Sequence, residues 1–121
     1  MARILSISYD HRLLRTRELL LQRMGHSVTS VAEFAQAVEL CNQGPAVLDL
    51  VVVGHSIPHE DKHALVSHCN QTCRCPVLAL TLVNEPPVTE AARSIDPSDT
   101  GAFVAAVNEL LQQDRADQSQ Q

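Results

Sequence analysis

Tryptophan is absent from the 121 residues, and the aromatic share is 2%: Tyr9, Phe34 and Phe103. Three rings cannot build the stacking platforms that hold single-stranded nucleic acid, nor an aromatic cage for a quaternary ammonium group. Glycine and proline are sparse, at 4 and 6 residues, which excludes collagen-like and low-complexity chains. No apolar run approaches the ~18 residues of a membrane helix, and Met1 leads within two residues into a strand-like pattern with no signal-peptide architecture. A cytoplasmic protein without a membrane partner is expected. A broad basic excess is missing too: the net charge is −5, so nonspecific binding to a nucleic-acid backbone is not expected.

What remains is an aliphatic composition, 45% hydrophobic and 19% charged, of the size and kind that make one ordinary globular domain. The charge is uneven. Residues 1–25 carry five arginines against two acids, whereas residues 26–121 carry four basic groups against twelve acids.

The hydrophobic pattern alternates between strand and helix five times. Residues 3–8 read as a strand, and Leu13, Leu14, Leu20, Leu21 and Met24 recur at helical spacing until Gly25. Ser27 to Val31 is a second strand, followed by a helix with Phe34, Val38 and Cys41 on one face. Residues 49–54 and 76–82 are unbroken apolar runs, the pattern of parallel strands covered on both faces. A helix over roughly Glu60 to Thr72 separates them. A short fourth helix near Val88–Ala92 and a weak strand, Arg93-Ser94-Ile95, precede a last helix capped by Asp99, with Phe103, Val107, Leu110 and Leu111 as its stripe. The predicted architecture is a three-layer αβα sandwich, flavodoxin-like, around a five-stranded parallel sheet of order 2-1-3-4-5. One domain over residues 1–112 is expected, with a frayed polar tail over 113–121. Ligands in such a sheet bind beyond the carboxyl ends of the strands, which points to the loops after Ser8, Gly54 and Thr81 and to the turn at Asp96.

Three stretches carry a resemblance to the receiver domain of bacterial two-component response regulators, running from Arg3 to Leu111. Asp49-Leu50-Val51-Val52-Val53-Gly54-His55-Ser56-Ile57-Pro58 has the spacing of that family's third strand and following loop. Pro76-Val77-Leu78-Ala79-Leu80-Thr81 is similar to its fourth strand, which ends in a hydroxyl residue. Asp96-Pro97-Ser98-Asp99 and the helix beyond it keep the register of its Lys-Pro turn and final helix.

The resemblance implies the fold but not the chemistry. The family's phosphoacceptor Asp falls on Gly54, which offers no nucleophile for an acyl phosphate. The acidic pair that holds Mg2+ falls on Ser8 and Tyr9, with Asp10 one residue further on, so no cofactor is expected where three carboxylates reduce to one. The family's Lys falls on Asp96, its switch hydroxyl on Thr81 and its switch aromatic on Arg93; Pro86-Pro87 shortens the fourth helix. His55 follows the vacated acceptor position. These residues imply a degenerate pocket in a pseudo-receiver, not an enzyme: a stand-alone module acting by protein contact in two-component signal transduction.

Two further groups carry weight. Arg12, Arg15, Leu19 and Arg23 fall on one side of the first helix as a basic stripe with an apolar centre, able to dock a signalling protein such as a histidine kinase or another regulator; a homodimer stays open. His55, His59, His63, His68, Cys69, Cys73 and Cys75 crowd 21 positions. His59 and His63 would lie roughly 15–20 Å from Cys73 and Cys75 along a helix, too far to share one ion. The smaller set His68, Cys73 and Cys75 is the alternative, a metal or thiol sensor, although Cys-x-Cys lacks the usual knuckle spacing. Cys41 and Cys69 read as small buried hydrophobes.

Overall fold

The computed structural model describes residues 2–42, 48–72, 75–82, 88 and 91–119, of 113–119 the backbone alone. Five strands, β1 (Arg3–Ile7), β2 (Ser27–Val31), β3 (Leu50–Val53), β4 (Val77–Leu80) and β5 (Arg93–Ile95), form one parallel sheet in the order β2-β1-β3-β4-β5. The helices are α1 (His11–Arg23), α2 (Phe34–Cys41), α3 (His59–Thr72) and α4 (Thr100–Ser119). Order and direction agree with the sequence expectation.

The apolar runs dictate the layers. Side chains alternate across a strand, so β1, β3 and β4 send Leu5, Ile7, Val51, Val53, Val77 and Ala79 to one face, where Ala37 and Cys41 of α2 and Leu65, Val66 and Cys69 of α3 cover them. The other face takes Ile4, Leu50, Val52, Leu78 and Leu80, under Leu21 of α1 and Phe103, Ala106, Val107, Leu110 and Leu111 of α4. All four residues of β3 and of β4 are buried. Each such aliphatic side chain contributes about 1.5–3 kcal/mol of burial, so the central strands hold the layers together.

Local signals end the elements where the chain turns. Gly25 adopts φ +91°, a left-handed conformation that stops α1. Asp99 accepts a hydrogen bond from the Ala102 amide at 2.9 Å and so caps α4.

Three details differ from the sequence expectation. Phe34 stays exposed at the surface, because α2 rolls its small residues Ala37 and Cys41 onto α3 and leaves Val38 half-buried. Ala91 and Ala92, placed in a short fourth helix, are not helical: Ala91 N–H donates to the Val88 carbonyl at 3.1 Å and Ala92 N–H to the Val77 carbonyl at 2.9 Å; residues 83–87, with Pro86-Pro87, and 89–90 lie outside the described residues. Helix α4 runs on to Ser119, through a polar segment that contains neither Gly nor Pro to break it.

Candidate functional site

Register brings the strand ends together. Ile7 lies beside Val31 and Val53, and Val53 beside Ala79, so the residues that follow meet at one edge of the sheet. The ladder continues into them: Ser8 N–H donates to Val31 O at 3.1 Å, Gly54 N–H to Ile7 O at 2.8 Å, and Thr81 N–H to Ile95 O at 2.9 Å. Ser8, Gly54, Thr81 and Asp96 therefore stand at the carboxyl ends of neighbouring strands, as expected for a ligand site in this topology.

The side chains at that edge serve structural bonds. The buried Ser8 hydroxyl lies 2.8 Å from Ser56 Oγ, which ties the exit of β1 to the loop after β3. Tyr9 donates its phenol hydrogen to Asp61 Oδ2 at 2.9 Å. Partial burial and that carboxylate push the Tyr9 pKa up to about 12. Asp10 caps α1, accepting from the amides of Arg12 at 2.9 Å and Leu13 at 3.3 Å. Asp96 Oδ1 accepts from the Ser98 hydroxyl at 2.6 Å and the Ser98 amide at 2.8 Å. Those bonds, with a smaller attraction from His55, hold the Asp96 carboxyl below the usual aspartate value.

Two buried cations at this edge escaped the sequence reading. Arg17 is 7% exposed. It sits on the inward stripe of α1 between Leu14 and Leu21, and its guanidinium reaches under Gly54. One terminal nitrogen, Nη2, donates to Nδ1 of His55 at 3.1 Å. The other, Nη1, is buried without a hydrogen-bond partner among the described residues. Burial lowers the Arg17 pKa, and the charge of Asp10 partly offsets this. A Cβ built on Gly54 would stand 2.8 Å from Nη1, 3.0 Å from Ile7 O and 3.1 Å from Ser8 Cβ. The guanidinium thus fills the space into which a side chain at position 54 would project.

The second cation is Lys62, 0% exposed, whose Nζ donates to the Leu80 carbonyl at 3.0 Å where β4 ends. Both could have been found in the sequence. Leu14, Arg17 and Leu21, and Lys62, Leu65, Val66 and Cys69, are buried stripes at helical spacing in which one position is basic.

The other predicted residues lie apart from this edge. Arg12, Arg15, Leu19 and Arg23 are all exposed on α1, and Arg15 pairs with Glu18 at 3.0 Å. Arg93 leaves β5 outward and pairs with Glu109. The rings of His59 and His63 stack with centroids 6.5 Å apart. His68 binds Asn42 Oδ1 through Nε2 at 2.9 Å, which turns it toward α2, while Cys75 is buried in the core and Cys73 lies outside the described residues. No cluster of three or more His, Cys, Asp or Glu able to hold a metal ion occurs among the described residues.

No family model and no curated protein matches the chain. Solved structures do. The response regulator receiver domain protein from Clostridium thermocellum superposes with a TM-score of 0.84 at 16% identity, over 96% of this chain and 98% of that one. The N-terminal domain of a response regulator/sensory box/GGDEF three-domain protein from Carboxydothermus hydrogenoformans gives 0.81 at 20%, over 95% and 98%. The response regulator TrrA of Thermotoga maritima, solved with the histidine kinase ThkA, gives 0.76 at 16%, over 92% and 99%. The chain has the CheY-like fold of response regulator receiver domains.

Proposed function

We propose that the protein is a receiver-fold signalling module that works by protein contact and takes no part in phosphoryl transfer. The observation that carries this reading is the position of Arg17: its guanidinium stands where the side chain of a phosphoacceptor would have to project from position 54. Glycine offers no carboxylate, and the space for one is taken by a cation. The donors at the strand ends do not fit Mg2+. A hard cation needs several charged oxygens, whereas Ser8 and Tyr9 present hydroxyls, and the Asp10 carboxylate is committed to two backbone amides. Buried positive charge on Arg17 and Lys62 repels a divalent ion further. Asp96, negative and held by Ser98, would repel a phosphoryl group.

Contact is the remaining mode of action. A receiver-fold neighbour has been solved with a histidine kinase, and α1 presents Arg12, Arg15, Leu19 and Arg23, with Leu19 44% exposed at the centre. A kinase or a second regulator with an acidic, partly apolar docking face fits this stripe. The test is native mass spectrometry of the protein before and after incubation with Mg2+ and acetyl phosphate. Unmodified, metal-free protein is expected, and a phosphoryl adduct would overturn the reading. Charge reversal at Arg15 and Arg23 then probes the face: partner binding that survives it removes α1 from consideration.

A further inference from the structure

Cys41 closes α2, Cys69 lies in the second half of α3, and their sulfur atoms are 2.9 Å apart with both residues 0% exposed. That separation is well inside ordinary contact for two sulfurs, and a disulfide needs about 2.0 Å. The neighbouring residues clasp the same two helices: His68 Nε2 meets Asn42 Oδ1 at 2.9 Å. Two adjacent cross-helix contacts thus fix the pair face to face, and no disulfide joins the two cysteines.

We propose that Cys41 and Cys69 form a reversible redox site, a disulfide that joins α2 to α3 when a small-molecule disulfide of the glutathione type is in excess. One cysteine loses its proton to solvent, and its thiolate attacks a sulfur of the small disulfide. The S–S bond breaks, and the displaced small thiolate takes up a proton. The second cysteine, deprotonated in turn, attacks the protein sulfur of the mixed disulfide and releases the second small thiol. Two electrons and two protons leave the pair, and one small disulfide becomes two thiols.

Access comes from α2. This helix has eight residues against fourteen in α3, and Glu33 at its start makes no capping bond through its side chain, so α2 is the shorter of the two helices covering that face of the sheet. Transient opening of α2 exposes the thiols, and the reaction rate should saturate with oxidant at the opening rate. This site is independent of the pocket around Gly54 and of the function proposed for it.

The experiment equilibrates the full chain in glutathione buffers of graded ratio, quenches with maleimide under denaturing conditions, and reads intact mass and linked peptides. Expected are a loss of two hydrogens, protection of two of the four thiols, a Cys41–Cys69 cross-linked peptide, and a higher denaturation midpoint for the oxidised form. Cys41→Ala and Cys69→Ala should each abolish the change, while Cys75→Ala should keep it. Four reactive thiols in excess oxidised glutathione, mixed glutathione adducts alone, or a linkage through Cys73 or Cys75 in the unaltered protein would each overturn the proposal.

Discussion

Substituting Gly54 by alanine tests the central geometric claim. Gly54 does not adopt a positive φ, so alanine meets no backbone strain there and should gain about 0.4–1 kcal/mol from a less flexible unfolded chain. Against this stand three close approaches: 2.8 Å to Arg17 Nη1, 3.0 Å to Ile7 O and 3.1 Å to Ser8 Cβ. The last two belong to the strand ladder and cannot move far, whereas the guanidinium lies at the end of a flexible stem. Overpacking of this kind costs about 1–3 kcal/mol. The net expectation is a loss of about 1–2 kcal/mol, roughly 3–10 °C in Tm for a domain of this size.

A double-mutant cycle isolates the share that belongs to Arg17. Arg17→Met keeps most of the apolar stem and removes both terminal nitrogens, so Gly54→Ala in that background should cost less, with a coupling of about 0.5–1.5 kcal/mol between the two sites. Urea denaturation of the four proteins measures it. Equal cost of Gly54→Ala in both backgrounds would refute the claim that the guanidinium occupies the space into which a side chain at position 54 would project, and with it the main support for an edge closed to phosphorylation.

Tyr9 is the one tyrosine of the chain, so its phenolate absorbance can be titrated alone; the midpoint should fall near 12, and a midpoint at the ordinary value of about 10 would refute the Asp61 contact. The sign for stability follows: the native pKa is raised, so this contribution is intact below about pH 10 and is lost as the pH climbs toward 12, a component that Tyr9→Phe should abolish. Asp10→Ala should cost about 0.5–2 kcal/mol through the lost cap, whereas Asp10→Asn should retain most of the stability, since asparagine caps as well; equal losses would point to a need for the charge itself. Gly25→Ala should cost about 1–2 kcal/mol in thermal denaturation, from backbone strain alone, since no atom lies within 4 Å of the added Cβ.

The sheet was legible because its central strands are unbroken aliphatic runs bounded by Gly and Pro, and helix ends were legible where Gly25 and Asp99 have one physical reason to be there. The strand order followed from the βα rhythm and the handedness of crossovers. At the strand ends the sequence showed only what is missing, carboxylates at positions 8, 9 and 54. Arg17 and Lys62 were missed because a basic residue on a helix is ordinarily solvated; their place in apolar stripes was a weaker signal than their charge. Phe34 was misplaced for the opposite reason. Its hydrophobicity argues for burial, but close packing of α2 on α3 is decided by Ala37 and Cys41. The contact between Cys41 and Cys69 depends on how two helices sit against each other, a relation no periodicity encodes.

A pocket that holds a divalent ion is stabilised by it, and a pocket with its own cation is not. If Mg2+ bound at the strand ends, one hundred times its Kd would add about 2.7 kcal/mol, roughly 8–14 °C in Tm for a chain of this length. With Arg17 under Gly54 and Lys62 on the Leu80 carbonyl, two basic side chains already stand at this edge and belong to the chain itself. Thermal unfolding should therefore be unchanged between chelator and millimolar Mg2+, in the presence or absence of a phosphoryl analogue. A Mg2+-dependent rise would require that the cations yield their places and that Asp10 leave its cap, and would refute the fixed-cation reading. An unchanged midpoint would mean that Mg2+ does not set the conformation of this edge. Any signal through the fold must then come from what touches its helices, or from the thiol pair between α2 and α3.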